Sequence, residues 1–392
     1  MTTTPVAAGF LPLTDAAPLI VAQEMGFAAE ERLALDLRKA ASWSALRDML
    51  AFGQVDAAQM LAPLPLAAAL GLGGAGSRFA VLSVLSVNGT VIGVSHRLAA
   101  ALASGGHDFA FDDAVAAGRA LFAAEAGMIR IGVPFPFSMH SELLNYWLQG
   151  LGGDAVQRVS IRTVPPPLMA QAMRSGEIDA FCVGEPWGSL AVERGDGVLL
   201  LPGTAIWSFA PEKVLAVRSG WAERERALGG RLIRALWRAG RWLAEPSSRG
   251  LAAEILSARR YLDLPAEIIE RALTGRITVT PQGLQRQVSR FVEFHDGAAG
   301  FPWRSQAQWI ALQMARCNGL DPRVAFERAE GVFRSDLYRA AMRGTGAQLP
   351  AASLKLEGAV DGEMAVAGES QSLRLLPNRF FDGRVFDPLA AL

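Results

Sequence analysis

The chain has 392 residues, of which 51% are hydrophobic and 19% are charged. This balance allows a large buried core and excludes an intrinsically disordered chain. Lys and Arg together number 38, as do Asp and Glu, so the formal net charge is zero. A neutral chain lacks the basic surface that binds nucleic acids or anionic membranes, and we expect neither as a direct partner.

The N-terminus and the cysteines predict the compartment. The chain begins MTTTPVAAGFLPLTDAAP, with no Lys or Arg before Arg32 and no apolar segment typical of a secretory signal. Cys182 and Cys317 have no metal-binding spacing and suit a reducing compartment, although two cysteines can also pair. Only four histidines occur, so a multi-histidine metal site is not expected. We expect a cytoplasmic protein without metal or cofactor, unless a leader precedes this sequence.

Short apolar runs alternate with helix-length segments from residue 5 to about residue 220. The runs are rich in Val, Ile, Leu and Phe and most are bounded by Gly, Pro or Asp. They predict strands over residues 5–10, 35–38, 57–61, 79–87, 90–95, 129–133, 159–164, 178–183 and 213–218. Helices are predicted to begin near Ala16, Ser42, Met139, Pro167 and Pro186. This alternation predicts an α/β fold with mainly parallel sheets and helices on both faces.

After about Trp221 the chain becomes mainly helical. A predicted helix over residues 221–243 carries six arginines, a pattern found more often on a solvated helix face than at a nucleic-acid site. Further helices are predicted over residues 266–274, 282–295, 305–317 and 322–332. The tail from Gly344 is richer in Gly and Pro, and we expect it to wrap the body as loops.

The motifs that mark common enzymes do not occur. No GxGxxG follows a predicted strand, and the chain contains no GxxxxGK[ST], HExxH or GxSxG. This favours a binding protein over an enzyme.

Two strand-to-helix junctions are candidate anion sites. One is FPFSMH, where His140 lies at a helix start, and the other is VGEPW, where Gly184 precedes Pro186. Free N–H groups and the helix dipole attract anions at such ends, although either junction alone is more often ordinary packing. Trp43 also begins a predicted helix and Lys213 opens a predicted strand. Core packing for the tryptophan and a surface position for the lysine are the alternatives.

Several segments in order along the chain carry a family resemblance. They are GFLPLTDAAPLIVAQEMGF, ASWSALRDML, GQVDAAQMLAPLPLA, NGTVIGVS, FPFSMH, PPPLMAQAMRSGEIDAFCVGEPW, PEKVLAVR and FFDGRVFDP. Together they resemble the nitrate- and bicarbonate-binding proteins of the NrtA and CmpA type. The resemblance implies a two-lobed, type II periplasmic-binding-protein-like fold with a helical C-terminal part. Lobe I would comprise residues 1–87 and 188–300, lobe II residues 88–187, and residues 301–392 would pack on lobe I.

The resemblance also implies the ligand contacts, which fall on Trp43, Thr90, His140, Gly184 and Lys213. Asn88 is the alternative to Thr90, because family members carry a glutamine near this point. Bicarbonate-binding members place Glu at the position of Lys213, so Lys213 points to nitrate or nitrite. The adjacent Glu212 is predicted to lie on the opposite face of its strand, since side chains alternate.

A cytoplasmic member of this group resembles the nitrate/nitrite sensor NasS. Such a sensor is expected to hold an RNA-binding antiterminator of the NasT type until nitrate releases it. The main alternative is the solute-binding subunit of a nitrate ABC importer. An enzyme on the same scaffold, such as a thiaminopyrimidine-synthesis protein, is a third hypothesis.

Overall fold

The structure is a computed structural model that describes residues 3–73 and 76–391. Its strands in chain order are β1 (Thr4–Phe10), β2 (Leu33–Lys39), β3 (Ala57–Leu61), β4 (Phe79–Asn88), β5 (Thr90–Val94), β6 (Ile129–Val133), β7 (Val159–Thr163), β8 (Ala180–Gly184), β9 (Val198–Pro202), β10 (Pro211–Arg218), β11 (Arg276–Thr278), β12 (Gln285–Gln287), β13 (Val292–Glu293), β14 (Met364–Val366) and β15 (Leu373–Leu375).

The α-helices lie between these strands and after them. They are α1 (Ala17–Glu24), α2 (Phe27–Glu30), α3 (Trp43–Ala51), α4 (Pro63–Leu70), α5 (His96–Ser104), α6 (Ala114–Ala124), α7 (Met139–Leu151), α8 (Met169–Arg174), α9 (Trp187–Glu193), α10 (Ser219–Arg224), α11 (Arg226–Ala244), α12 (Arg249–Ser257), α13 (Ala266–Thr274), α14 (Arg304–Asn318), α15 (Pro322–Ala329) and α16 (Ser335–Met342). Within the described ranges, no helix combines the length and apolar character needed to cross a membrane.

Two central sheets define two lobes. The first lobe contains the strand order β13-β4-β10-β3-β1-β2, and the second contains β7-β6-β8-β5-β9. Strand β1 runs parallel to β2 and β3, and β6 runs parallel to β7 and β8. The pairs that involve β4, β5 and β10 are antiparallel. The prediction of mainly parallel sheets is therefore wrong. Strands β5 and β10 each enter their sheet from the other lobe, and no helical crossover fixes their direction.

The chain crosses between the lobes at two places. It leaves the first sheet between β4 and β5 at Gly89, where a φ of +92° is in the left-handed region that suits glycine. It returns between β9 and β10. The predicted return at residue 188 is too early, because β9 pairs with β5 and extends the second lobe to Pro202. The sequence reading missed β9. Residues 1–2, 74–75 and 392 of the predicted ranges lie outside the described residues.

The C-terminal part packs on both lobes, whereas the prediction placed it on the first lobe alone. Helix α14 packs against α4 of the first lobe and α7 of the second. The Tyr146 hydroxyl of α7 donates hydrogen bonds to the Asp382 carboxylate at 2.9 and 3.0 Å. Trp309 of α14 stacks on Phe380 of the tail, with ring centroids 5.3 Å apart. The tail also contains the β14–β15 hairpin, so it is not made of loops alone.

Two helix predictions after residue 220 need correction. Residues 282–295 form no helix, because β12 pairs with β11 and β13 pairs with β4. The arginine-rich segment forms α10 and α11 instead of one helix. Arg234 and Arg238 of α11 both pair with Glu31, so this side of the helix is bound to the first lobe rather than free in solvent.

Candidate anion-binding site

Lys213 lies at the centre of a buried cluster between the lobes. Its side chain is fully buried on β10. The ammonium Nζ lies 2.8 Å from Asp15 Oδ2 and 2.6 Å from Glu212 Oε1. Asp15 comes from the turn before α1, so the lysine joins two segments of the first lobe. Lys213 is thus neither a surface residue nor an isolated buried charge.

Trp43 packs over this lysine. It is the first residue of α3, whose N-cap Ser42 accepts a hydrogen bond from the Ala45 N–H. Its ring centroid lies 5.4 Å from Lys213 Nζ, within cation–π distance. The indole Nε1 is buried and has no hydrogen-bond partner among the described residues.

His140 enters the cluster from the second lobe. It is the second residue of α7, and Ser138 caps the helix by accepting a hydrogen bond from the Ser141 N–H. Its Nδ1 lies 3.4 Å from Glu212 Oε1, although the geometry is not that of a hydrogen bond. Burial, followed by the charge of Lys213, holds the His140 pKa well below its usual value. The imidazole is therefore neutral, with one N–H donor.

Gly184 brings the second sheet against the same cluster. A Cβ at this position would lie 2.9 Å from Leu13 Cδ2, 3.5 Å from His140 Nε2 and 3.6 Å from Asp15 Oδ2. Larger side chains would collide with both the first lobe and the histidine. The residue at the end of β8 must be small for the lobes to approach as they do here.

Thr90 lies beside this cluster, opposite Gly184 in the β5–β8 register. Its hydroxyl is buried, has no hydrogen-bond partner in the described chain, and faces Gly203. The alternative residue Asn88 already has hydrogen-bond partners within the protein. Its side-chain amide donates to Ser208 O at 2.9 Å and accepts from the Ala210 N–H at 3.0 Å. Asn88 therefore fixes the two crossings to each other, and Thr90 is the better placed of the two for a ligand.

The predicted position of Glu212 is wrong. Its carboxylate lies on the same side as Lys213 and within 2.6 Å of it. The β10–β4 pairing contains register shifts between Pro211, Lys213 and Val214, and such a bulge breaks the alternation of side chains.

The sequence reading also missed Asp15 and Gln59. The Gln59 amide donates to Asp15 Oδ1, and Gln59 Oε1 accepts from the Leu11 N–H at 2.9 Å. Asp15 lies within the apolar segment LPLTDAAPLI, and Gln59 lies within the apolar segment AAQML. A polar residue inside an apolar run is the sequence signal that could have identified both.

Burial and the charge of Lys213 have opposite effects on the pKa values of Asp15 and Glu212. Burial raises the pKa of Asp15, and it raises that of Glu212 to about 7, despite the opposing attraction of Lys213 in both cases. Burial also lowers the pKa of Lys213, but the two carboxylates more than offset this, so the lysine stays charged. The cluster thus contains one fixed cation and two carboxyl groups that protonate more readily than usual.

Direct hydrogen bonds hold the lobes together around the cluster. The Thr14 N–H donates to Glu185 O at 2.9 Å. The Trp187 indole N–H donates to Pro12 O at 3.0 Å. Each bond joins the first lobe to the end of β8 or the start of α9. The two lobes are therefore in direct contact beside the cluster.

Several polar atoms of this cluster lack partners although they are buried. Among the described residues they include Trp43 Nε1, Thr90 Oγ1, His140 Nε2 and Glu212 Oε2. Buried polar groups are normally hydrogen-bonded, and leaving one unpaired costs about 1–3 kcal/mol. The N–H and O–H groups of this set, drawn from both lobes, are suited to a small ligand with several acceptor oxygens. No cluster of His, Cys, Asp or Glu in the described ranges is arranged to hold a metal ion.

The comparison with protein families identifies the fold group. The NMT1-like family matches residues 1–257, which include all five predicted ligand contacts. This chain belongs to the NMT1-like family. The crystal structure of the periplasmic nitrate-binding protein NrtA from Synechocystis superimposes with a TM-score of 0.85 at 26% identity, covering 99% of this chain and 97% of that one. The predicted two-lobed periplasmic-binding-protein fold is confirmed.

Individual relatives identify the group of proteins within this family to which the chain is similar. The nitrate/nitrite-binding protein NrtA of Nostoc is 30% identical over 397 residues, which cover 98% of this chain and 83% of the relative. The nitrate import ATP-binding protein NrtC of Synechocystis is 34% identical over 344 residues, which cover 86% of this chain. This chain spans only 50% of that relative's length. Membership of the group of NrtA- and CmpA-type proteins is thus confirmed, and the nearness to NasS stays a prediction.

Proposed function

We propose that this protein is a cytoplasmic nitrate or nitrite sensor, which holds an RNA-binding antiterminator of the NasT type until the anion binds. The observation that carries the anion assignment is the set of unpaired buried donors around Lys213. Nitrate is a planar monoanion that only accepts hydrogen bonds. The ammonium of Lys213, the indole N–H of Trp43 and the N–H of His140 match it in charge and in hydrogen bonding.

The relatives support the ligand. NrtA of Nostoc is named for nitrate and nitrite binding, and this chain covers 83% of it. Both NrtA of Nostoc and the NrtA of the matched crystal structure are named as binding proteins, and we therefore propose a binding protein rather than an enzyme. The cytoplasmic location is part of the same proposal. Its support is that Cys182 and Cys317 are free thiols, which suits a reducing compartment.

The second candidate is the solute-binding subunit of a nitrate importer. The observation that favours it is the similarity to periplasmic NrtA along 97% of that protein's structure. The sensor and the subunit would share one anion site, so ligand binding alone does not separate them. They differ in the partner that recognises the closed state.

Anion binding is tested by calorimetric titration. We expect one nitrate per chain, with nitrite competing for the same site, because the cluster presents a single cation. Bicarbonate is the comparison anion. A chain that binds bicarbonate but neither nitrate nor nitrite would contradict the proposed ligand.

The output is tested by retention of the antiterminator on the immobilised protein while nitrate is raised. We expect release, and we expect the partner to weaken nitrate binding by the same factor, because coupling between two sites is reciprocal. If no antiterminator is retained without nitrate, the sensor proposal fails and the importer subunit replaces it.

A further inference from the structure

Glu212 presents a difficulty for the binding of nitrate. Its Oε1 lies 2.6 Å from Lys213 Nζ, while Oε2 is buried and has no hydrogen-bond partner among the described residues. Nitrate has acceptors only, so an ionised carboxylate at this place offers it repulsion and no hydrogen bond.

The charges of the cluster lead to the same conclusion. Lys213 carries one positive charge, and Asp15 and Glu212 carry two negative charges when both are ionised. The net charge is then already negative before an anion enters. Adding nitrate would bury a second uncompensated negative charge, which is costly away from water.

We propose that nitrate enters together with one proton, which Glu212 takes up on Oε2. This inference rests on the proposed function. The proton comes from solvent, and nitrate itself is bound unchanged. Protonation removes one negative charge and converts Oε2 from a repelling acceptor into an O–H donor. Glu212 thereby becomes a ligand-binding residue beside Lys213.

The groups around Glu212 identify it as the proton acceptor. Asp15 has both carboxylate oxygens engaged, one by Lys213 and one by Gln59. Burial and the charge of Lys213 keep His140 neutral. Cys182 of β8 is buried, and its pKa is raised by burial and by Glu212, so it stays a thiol.

Glu212 has the unoccupied oxygen, and burial raises its pKa to about 7. It is therefore ionised above neutral pH and close to protonation below it. A bound anion nearby raises its pKa further. Proton uptake on nitrate binding should thus be seen on the alkaline side of pH 7.

Calorimetry on the intact protein tests this directly. Nitrate does not titrate between pH 6 and 9, so any proton uptake belongs to the protein. Titrations at pH 8 in two buffers with different ionisation enthalpies should give about one proton per nitrate, and the Kd should rise about tenfold per pH unit above pH 7. Both effects should fade towards pH 6.

Two variants assign the proton. In Glu212→Gln the side-chain amide can donate a hydrogen bond to nitrate without first taking up a proton from solvent. We therefore expect no proton uptake and a Kd that is independent of pH. Glu142→Gln is the matched control. Glu142 is also buried, lies on α7 two residues from His140, and has a pKa raised to about 8 by burial. It should retain the wild-type proton uptake.

The possible outcomes separate the two proposals. Nitrate binding by the wild type at pH 8 without proton uptake overturns this inference and leaves the proposed function standing. Loss of proton uptake in Asp15→Asn but not in Glu212→Gln also overturns it, because the proton then belongs to Asp15. Absence of nitrate binding at every pH from 6 to 9 overturns both.

Discussion

Replacement of Lys213 by methionine is expected to abolish nitrate binding in calorimetry. Methionine keeps an unbranched side chain of similar length but removes the charge. Asp15 and Glu212 then face the anion without their cation. Removing one partner of a buried ion pair leaves the other charge unpaired and costs about 3–5 kcal/mol. A cost of that size on the bound anion corresponds to a Kd raised roughly 1000-fold. The variant's fold is checked by circular dichroism and thermal unfolding.

Lys355→Met is the matched control for this prediction. The Lys355 side chain is also largely shielded from solvent and is paired with Glu357, and its ammonium lies 5.4 Å from the ring centroid of Trp303 in the C-terminal part. Its replacement should reduce the free energy of unfolding but leave the Kd for nitrate within about twofold, since mutations at distant sites without shared partners act independently. A Lys213→Met protein that still binds nitrate, or equal losses in both variants, would contradict the assigned site.

Local patterns in the sequence were enough to single out two of the residues that meet at the cluster. Gly184 ends β8 and His140 begins the helix after β6, so both lie at strand-to-helix junctions. In α/β sheets ligands lie beyond the carboxyl ends of strands. Trp43 and Lys213 needed the family resemblance, because a lone Trp or Lys in an apolar run has ordinary explanations. That these residues contact nitrate stays a prediction.

The position of the Glu212 side chain could not be predicted from the sequence alone. Alternation along β10 places it away from Lys213, and only the pairing of β10 with β4 reveals the bulge. A bulge depends on the partner strand, which lies more than 100 residues earlier in the chain. The same limit explains the false helix over residues 282–295, whose short strands are fixed by pairing with β11 and β4. By contrast, β3 and α13 have the predicted bounds, because apolar runs and helical spacing define them locally.

Gly184→Val is expected to prevent closure of the two lobes. A Cβ at this position already lies 2.9 Å from Leu13 Cδ2 and 3.5 Å from His140 Nε2, and the two methyl groups of valine extend further. In the wild type, nitrate should reduce the radius of gyration measured by small-angle scattering, because we expect the bound anion to contact groups from both lobes. The variant should keep the larger radius when nitrate is added, and its Kd should rise at least about 100-fold, the effect of roughly 3 kcal/mol of overpacking.

Two further glycine variants serve as controls for Gly184→Val. Gly184→Ala should lose less affinity than the valine variant, because its single Cβ meets the end of the Leu13 side chain, which can rotate away. Gly250→Val places the same valine on α12, where a Cβ would meet nothing within 4 Å, so nitrate should bind and close this variant as in the wild type. A Gly184→Val protein that closes on nitrate with wild-type affinity would show that the end of β8 does not border the anion, and the site would then have to be sought elsewhere between the lobes.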